Sequence, residues 1–418
     1  MLKKLIKFHT KDVKGVLSLL VGNTVSKLIL TVGVFFLANY YGVDNYGIYA
    51  SFLSYISIIS VFATLSSENI LIMLKDTKAI RNLFSGVFLI SILIVFFLVS
   101  GTLIIKLINS SNLKLTQSLI ILCGVGGILT AWNLTQNALF TKYKLFIQTS
   151  TGFVIGAFIT IISQSFFLYF EVKETGLIYG SLLGLTISFF YYLKITKSRL
   201  SAINFQLVKQ SIKQHIDIVK YGYLSGVINS IANNILPILI LTYFTSQETG
   251  IYAMANKVLV TPVILLSSSF SIVFFQKSVS LYNFDKRKLL NLTRKIVLSN
   301  AGLVLIFLVL INTIGVYFID FFLNKNWHNI ELYILILSFW IIARSTVNPV
   351  STIVMVIKKN HYSLIFNIYL LLVNFIAIYI GHLQENILYC LGVFSLFSGL
   401  GYFVLLYFIF KSLHEYEE

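Results

Sequence analysis

Lysine and arginine crowd every second gap between the apolar runs of this chain. Of the 32 Lys and Arg residues, 25 occupy alternate gaps, four the intervening gaps, and three lie inside the apolar runs. An excess of cations on one side of successive spans is the signature of cytoplasmic loops, so the pattern predicts a polytopic membrane protein with both termini in the cytoplasm. It also explains how a net charge of +17 coexists with 57% hydrophobic residues. A basic soluble protein would point to nucleic acid; here the charge is spent on topology, and no nucleic-acid partner is expected. Charged residues make up 11% of the chain, against about a quarter in soluble proteins, which is too little to cover a water-soluble globule of this length.

A helix needs about 20 mostly apolar residues to cross the hydrocarbon layer. Twelve stretches qualify, at roughly 16–38, 47–71, 83–105, 117–138, 146–168, 175–193, 221–243, 251–275, 296–318, 331–356, 362–380 and 387–410. The gaps on the basic side carry Lys75, Lys78 and Arg81, then Lys142 and Lys144, Lys194 to Lys220, Lys277 to Lys295, Lys358 and Lys359. The opposite gaps hold only Lys106, Lys114, Lys173 and Lys325, beside acids such as Asp44, Glu248 and Asp320. The first run contains Asn23 and Lys27 and is too long for a signal-peptide core, so it reads as a retained span.

The fold class expected is all-α, with twelve transmembrane helices in two pseudo-symmetric six-helix halves around a central cavity. Residues 1–193 form one half, 194–220 a cytoplasmic amphipathic linker and 221–418 the other half. Val208, Ile212 and Ile216 recur at helical spacing in the linker, which suits a helix lying in the membrane interface. An internal repeat supports the division. Gly47-Ile48-Tyr49-Ala50 returns as Gly250-Ile251-Tyr252-Ala253, and Gly176-Leu177-Ile178-Tyr179 faces Asn386-Ile387-Leu388-Tyr389. Both matches fall at equivalent places in the topology, as in carriers built from two parallel repeats with a site near the midplane.

Four charged residues fall inside the spans: Lys27, Glu68, Lys257 and Arg344. A central Lys or Arg costs about 2.5–3.5 kcal/mol on insertion scales, so such residues usually face a wet cavity. Lys257 is close enough to its helix end to snorkel, and Glu68 lies near the cytoplasmic end of its span. An interhelical ion pair, such as Lys27 with Glu68, is the alternative to a role in transport. Asn23 lies one turn before Lys27, Asn229 one turn before Asn233, and Asn348 one turn after Arg344, which extends each into a polar stripe. Interhelical hydrogen bonding is the competing role for these asparagines. Pro237, Pro262 and Pro349 lie inside spans of the second half, where each tends to kink its helix. Cys123 and Cys390 sit in separate apolar runs, and no Cys/His spacing for a metal or phosphate loop for ATP is found; no cofactor and no enzymatic activity are expected.

With twelve spans, duplicated halves, a basic central linker and a first turn reading LANYYGVDNYGIYA at 37–50, the chain resembles bacterial polysaccharide-repeat flippases. These are the Wzx-type O-antigen and capsule exporters of the MOP superfamily, which act in lipopolysaccharide and capsule synthesis. Gly42 and Gly47 stand where such proteins place the glycines of that turn. The resemblance implies a multi-pass protein of the bacterial cytoplasmic (inner) membrane. Its substrate would be an undecaprenyl-pyrophosphate-linked oligosaccharide, moved from the cytoplasmic to the periplasmic leaflet by alternating access. Membrane lipids and other polysaccharide-assembly proteins are the partners implied. On this reading Arg344, Lys27 and Lys257 hold the anionic group, Asn23, Asn229, Asn233 and Asn348 assist, and Glu68 is the acid available for ion coupling. A MATE-like ion-coupled antiporter and a membrane polysaccharide polymerase or ligase are the alternatives. The lipid II flippase type, with two further helices, fits the chain length less well.

Overall fold

The computed structural model describes residues 10–108, 116–216, 222–282, 285–315, 317, 319, 322–323, 326–357, 359 and 361–415. Lys3, Lys4, Lys7, Lys114, Lys220, Asp320, Lys325 and Lys358 lie outside these, as do residues 217–221 of the central linker. Among the described residues the architecture is all-helical. Among the described residues eleven helices are long and apolar enough to cross a membrane, and each coincides with one of the expected runs. The eighth expected run falls in the long helix Ser246–Tyr282, whose residues 258–275 carry no charge.

The chain divides into two compact units, residues 1–41 with 49–230, and residues 42–48 with 231–418. The first unit contains α1 (Thr10–Tyr41), most of α2 (Val43–Thr64), α3 (Ser67–Met73), α4 (Thr77–Ile108), α5 (Gln117–Lys142), α6 (Phe146–Tyr169), α7 (Gly176–Thr196) and α8 (Phe205–Gln214). The second contains most of α9 (Leu224–Tyr243), then α10 (Ser246–Tyr282), α11 (Lys286–Leu310), α12 (Ile330–Ser351), the single turn α13 (Ile353–Val356), α14 (His361–Leu383) and α15 (Ile387–Glu415).

The second span, expected unbroken over 47–71, is interrupted. Leu65 and Ser66 both adopt left-handed backbone, with φ of 50° and 56°, at roughly 1–2 kcal/mol each for residues with a Cβ. Burial of the short helix that follows offsets this cost. Ile70 and Leu71 of α3 are wholly buried against Leu83, Phe84 and Val87 of α4 and Leu139 of α5. At the end of α3, Lys142 donates its ammonium to the carbonyl oxygens of Ile72, at 2.9 Å, and of Leu74. A lysine that looks like simple topology charge therefore also caps a helix C-terminus.

The amphipathic stretch of the linker forms α8, which packs one face on protein. Val208 of α8 is 3% exposed and joins the α3–α4–α5 cluster, with Ile212 packed at its edge. The approach is held by polar contacts: Ser201 N–H donates to Ser85 Oγ at 3.0 Å and Asn204 N–H to Asn82 Oδ1 at 2.8 Å. Asn204 in turn caps α8, accepting from Gln206 and Leu207 N–H. Ile203 packs at the same cluster, and Ile216, two residues beyond α8, is 40% exposed.

In the second unit α12 is the central element, packed against α10, α11 and α15. Ile334, Leu337, Ala343 and Val347 are wholly buried on it, as are Leu259 of α10, Val304 of α11 and Leu391 of α15. On the loop side Asp285 caps α11 by accepting from Lys288 N–H at 2.9 Å and pairs with its ammonium at 2.9 Å. That hydrogen bonding holds the Asp285 carboxyl below the usual carboxylate range.

The repeated Gly-Ile-Tyr-Ala motif has a packing reason inside this unit. A Cβ on Gly47 would stand 2.0 Å from Ser246 O and 2.8 Å from Gly250 N, and one on Gly250 would stand 2.2 Å from Val43 O. The first turns of α2 and α10 cross backbone to backbone, each at the other's glycine, as small residues allow in membrane helices. Ser246 Oγ donates to Asp44 Oδ1 at 2.5 Å beside the crossing. Thr245 and Glu248 close a reciprocal capping box at the start of α10, with both bonds near 3.1 Å.

Candidate functional site

Arg344 lies in the middle of α12, where the helix is loosened on both sides. One turn earlier, Ser395 of α15 inserts its hydroxyl into the ladder: Trp340 N–H donates to Ser395 Oγ at 3.1 Å, and Ser395 Oγ donates to Ile336 O at 2.6 Å. One turn later, Pro349 has no N–H to give the carbonyl of Ser345. Asn300 of α11, itself fully buried, fills that role, with Nδ2 2.5 Å from Ser345 O. Its Oδ1 accepts from Ser267 Oγ at 3.3 Å, so the side chain is satisfied at both ends. Inserted hydroxyls and prolines are the usual causes of helix bending, and here they bracket the one arginine of the span.

Removing Asn300 tests this arrangement. Asn300→Ala leaves Ser345 O buried and unpaired, at about 1–3 kcal/mol, and the thermal midpoint in detergent should fall by roughly 2–10 °C. Adding Pro349→Ala restores an N–H donor within α12 and should recover part of the loss. A double variant no more stable than Asn300→Ala would show that the amide does not serve the proline's orphaned carbonyl.

The Arg344 guanidinium is half-buried, 5.0 Å from the Trp340 ring centroid, within cation–π range. Trp340 packs on Phe394 with centroids 5.1 Å apart, and buried Tyr252 and Tyr402 lie within Coulombic range of the charge. Among the described residues no carboxylate pairs with Arg344. Asn348, one turn on, is exposed, and Lys257 on α10 is half-buried between buried Ala255 and Leu259.

The first unit holds a neutral counterpart. Trp132 on α5 packs on Phe189 of α7 with centroids 4.9 Å apart and donates its indole N–H to Ser91 Oγ at 2.7 Å. One turn further on, where α12 has Arg344, α5 has Gln136, fully buried with neither amide atom hydrogen-bonded among the described residues. Trp132 and Trp340 are two of only three tryptophans in the chain and are 208 residues apart, within the spacing of the repeat. That signal was present in the sequence and went unused, so Gln136, Phe189 and Phe394 were missed.

Lys27 is half-buried on α1, and Ser26 beside it donates to Asn23 O at 2.9 Å. Among the described residues it forms no ion pair, with Glu68 or any other acid, so the structural pairing considered for Lys27 and Glu68 is not formed. Glu68 follows the break between α2 and α3, half-buried, with Oε2 shielded from solvent and its carboxyl beside Thr64. Asn229 and Asn233 are both exposed on α9; the division into units falls between them, after Ser230. No group of three or more His, Cys, Asp or Glu that could hold a metal ion occurs among the described residues.

Residues 36–332, more than half of the chain, match the family model described as polysaccharide biosynthesis protein. The chain belongs to that family. A search of curated proteins finds no match. Among solved structures, this family member is similar to the lipid II flippase MurJ in an inward closed conformation, with TM-score 0.71 and 17% identity over 95% of this chain and 89% of MurJ. An inward-facing multidrug resistance MATE transporter of the MOP superfamily gives TM-score 0.63 and 14% identity, over 94% and 96% of the two chains. A MOP superfamily transporter from Pyrococcus furiosus gives TM-score 0.61 and 12% identity, over 97% and 96%. At these identities the likeness establishes the fold: the family member has the architecture of MOP-superfamily transporters.

Proposed function

We propose that this protein is a flippase that turns an undecaprenyl-pyrophosphate-linked oligosaccharide from the cytoplasmic to the periplasmic leaflet of the bacterial inner membrane. It works by alternating access between two six-helix halves, with both termini cytoplasmic, and supplies repeat units for O-antigen or capsule synthesis. Arg344, midway along an apolar helix and with no acidic partner among the described residues, is the observation that carries this reading. Such a charge is costly until an anion meets it, and a guanidinium offers a bidentate fork to phosphate. Lys27 and Lys257 are assigned to the same anionic group, and Asn23, Asn229, Asn233 and Asn348 to polar parts of the substrate. The family match and the fold shared with MurJ support a lipid-linked saccharide over a small drug-like cation.

Reconstitution tests the proposal. Vesicles containing the purified protein should carry a lipid-linked repeat unit to the leaflet reached by an impermeant oxidant faster than protein-free vesicles. Equal rates would remove the reading. Glu68, half-buried with Oε2 shielded from solvent, is assigned to ion coupling. Wild-type transport should respond to an imposed Na⁺ or H⁺ gradient, and Glu68→Gln should flatten that response. A variant as responsive as wild type would take Glu68 out of the coupling.

A further inference from the structure

Away from the spans, the first unit contains a polar pocket of about 490 Å³ between the α3–α4 junction and α8. Its volume lies within the range of small-ligand sites. Gln210 and Gln214 line it from α8, one turn apart on the same face. Both amides are exposed, and among the described residues neither has a hydrogen-bond partner. His215, at the end of α8, has Nδ1 3.1 Å from Ser211 O; Nδ1 is then the donor, and Nε2 of the neutral ring is left as an acceptor. Across the pocket stand Lys75 and Asp76, with buried Leu74 beneath. The Asp76 carboxylate caps α4, accepting from Lys78 and Ala79 N–H at 3.2 and 3.1 Å, and is therefore held in place.

The charge balance decides what such a pocket takes. One lysine and one aspartate cancel, and although Lys209 and Lys213 are neighbours in sequence, the lining of the pocket does not include them. A phosphate site would gather those cations; this one excludes them and offers paired amides over an apolar floor. An amide presents a donor and an acceptor side by side, which matches the hydroxyls of a sugar, and the Leu74 floor suits its C–H face. We propose that this pocket binds the saccharide of the substrate on the cytoplasmic side, as a reception site separate from the intramembrane cations. The inference rests on the flippase reading and adds a glycan subsite on the α3–α4–α8 surface.

The test uses the full-length purified protein and, as probe, the free oligosaccharide released by mild acid from the lipid-linked pool of the source organism. Saturation-transfer NMR should show the oligosaccharide binding to wild type and to Arg344→Ala alike, undisturbed by inorganic pyrophosphate. Binding to the double variant Gln210→Ala/Gln214→Ala should be at least about tenfold weaker, as expected for two lost hydrogen bonds. Because both side chains are exposed, the melting temperature of the double variant should match wild type. Undiminished binding to that variant, or displacement by pyrophosphate, would overturn the proposal. Wild type that flips the lipid-linked unit in vesicles but shows no transfer to the free oligosaccharide would sink the pocket and leave the flippase reading standing. Binding in the pocket without any flipping would sink the flippase reading instead.

Discussion

Arg344→Ala is expected to reduce export of the repeat unit at least about 30-fold, because truncating one side of a buried charge pair typically costs 2–5 kcal/mol. The protein itself should remain inserted and at least as stable. The guanidinium has no acidic partner among the described residues, so its removal relieves a buried charge rather than breaking an ion pair. That combination separates substrate binding from scaffolding: a structural arginine would lower the melting temperature when removed. Arg344→Lys should fall between wild type and alanine, since the ammonium keeps the charge but loses the fork. Transport assay and thermal melting on the same preparations check both parts. Normal export by Arg344→Ala, or a sharp loss of stability, would each contradict the assignment.

Gly47→Ala is expected to be the most damaging of the conservative substitutions, and for a different reason. The added methyl would stand 2.0 Å from Ser246 O and 2.8 Å from Gly250 N. Both are backbone atoms of α10, so no rotamer change makes room and the helices must separate. Overpacking by one methyl usually costs 1–3 kcal/mol; where backbone is the obstacle, about 3 kcal/mol or more is expected, with a large drop in the yield of folded protein. Gly101→Ala serves as the control. It adds a methyl in the interior of α4 with nothing within 4 Å, and helix propensity makes it neutral or stabilising by up to about 1 kcal/mol. Thermal melting of both variants in detergent, with equal midpoints, would refute the close crossing.

Apolar run length and charge alternation were enough to place the helices, because spanning a bilayer is a one-dimensional requirement. Arg344 and Lys27 were legible for the same reason: a charge in an apolar run stands out without any structure. The Gly-Ile-Tyr-Ala repeat was visible, but not that the two copies touch, since a close crossing depends on where two distant helices meet. The break at Leu65–Ser66 left no trace, as neither residue is a glycine or proline and the strain is held by the burial of Ile70 and Leu71 downstream. The helical periodicity of Val208 and Ile212 correctly marked an amphipathic helix, yet periodicity does not say whether its partner is lipid or the α3–α4–α5 cluster. Pro349 announced an orphaned carbonyl; only the structure names Asn300 as the side chain that serves it.

The central claim is tested most directly by the leaflet in which lipid-linked repeat units collect when the gene is deleted. Complete single units should accumulate on the cytoplasmic leaflet, protected in intact spheroplasts from an impermeant oxidant, and become reactive when the wild-type gene, but not Arg344→Ala, is restored. Single units that reach the outer face in the deletion strain would mean that this protein acts after translocation, as a polymerase would, and would contradict the account.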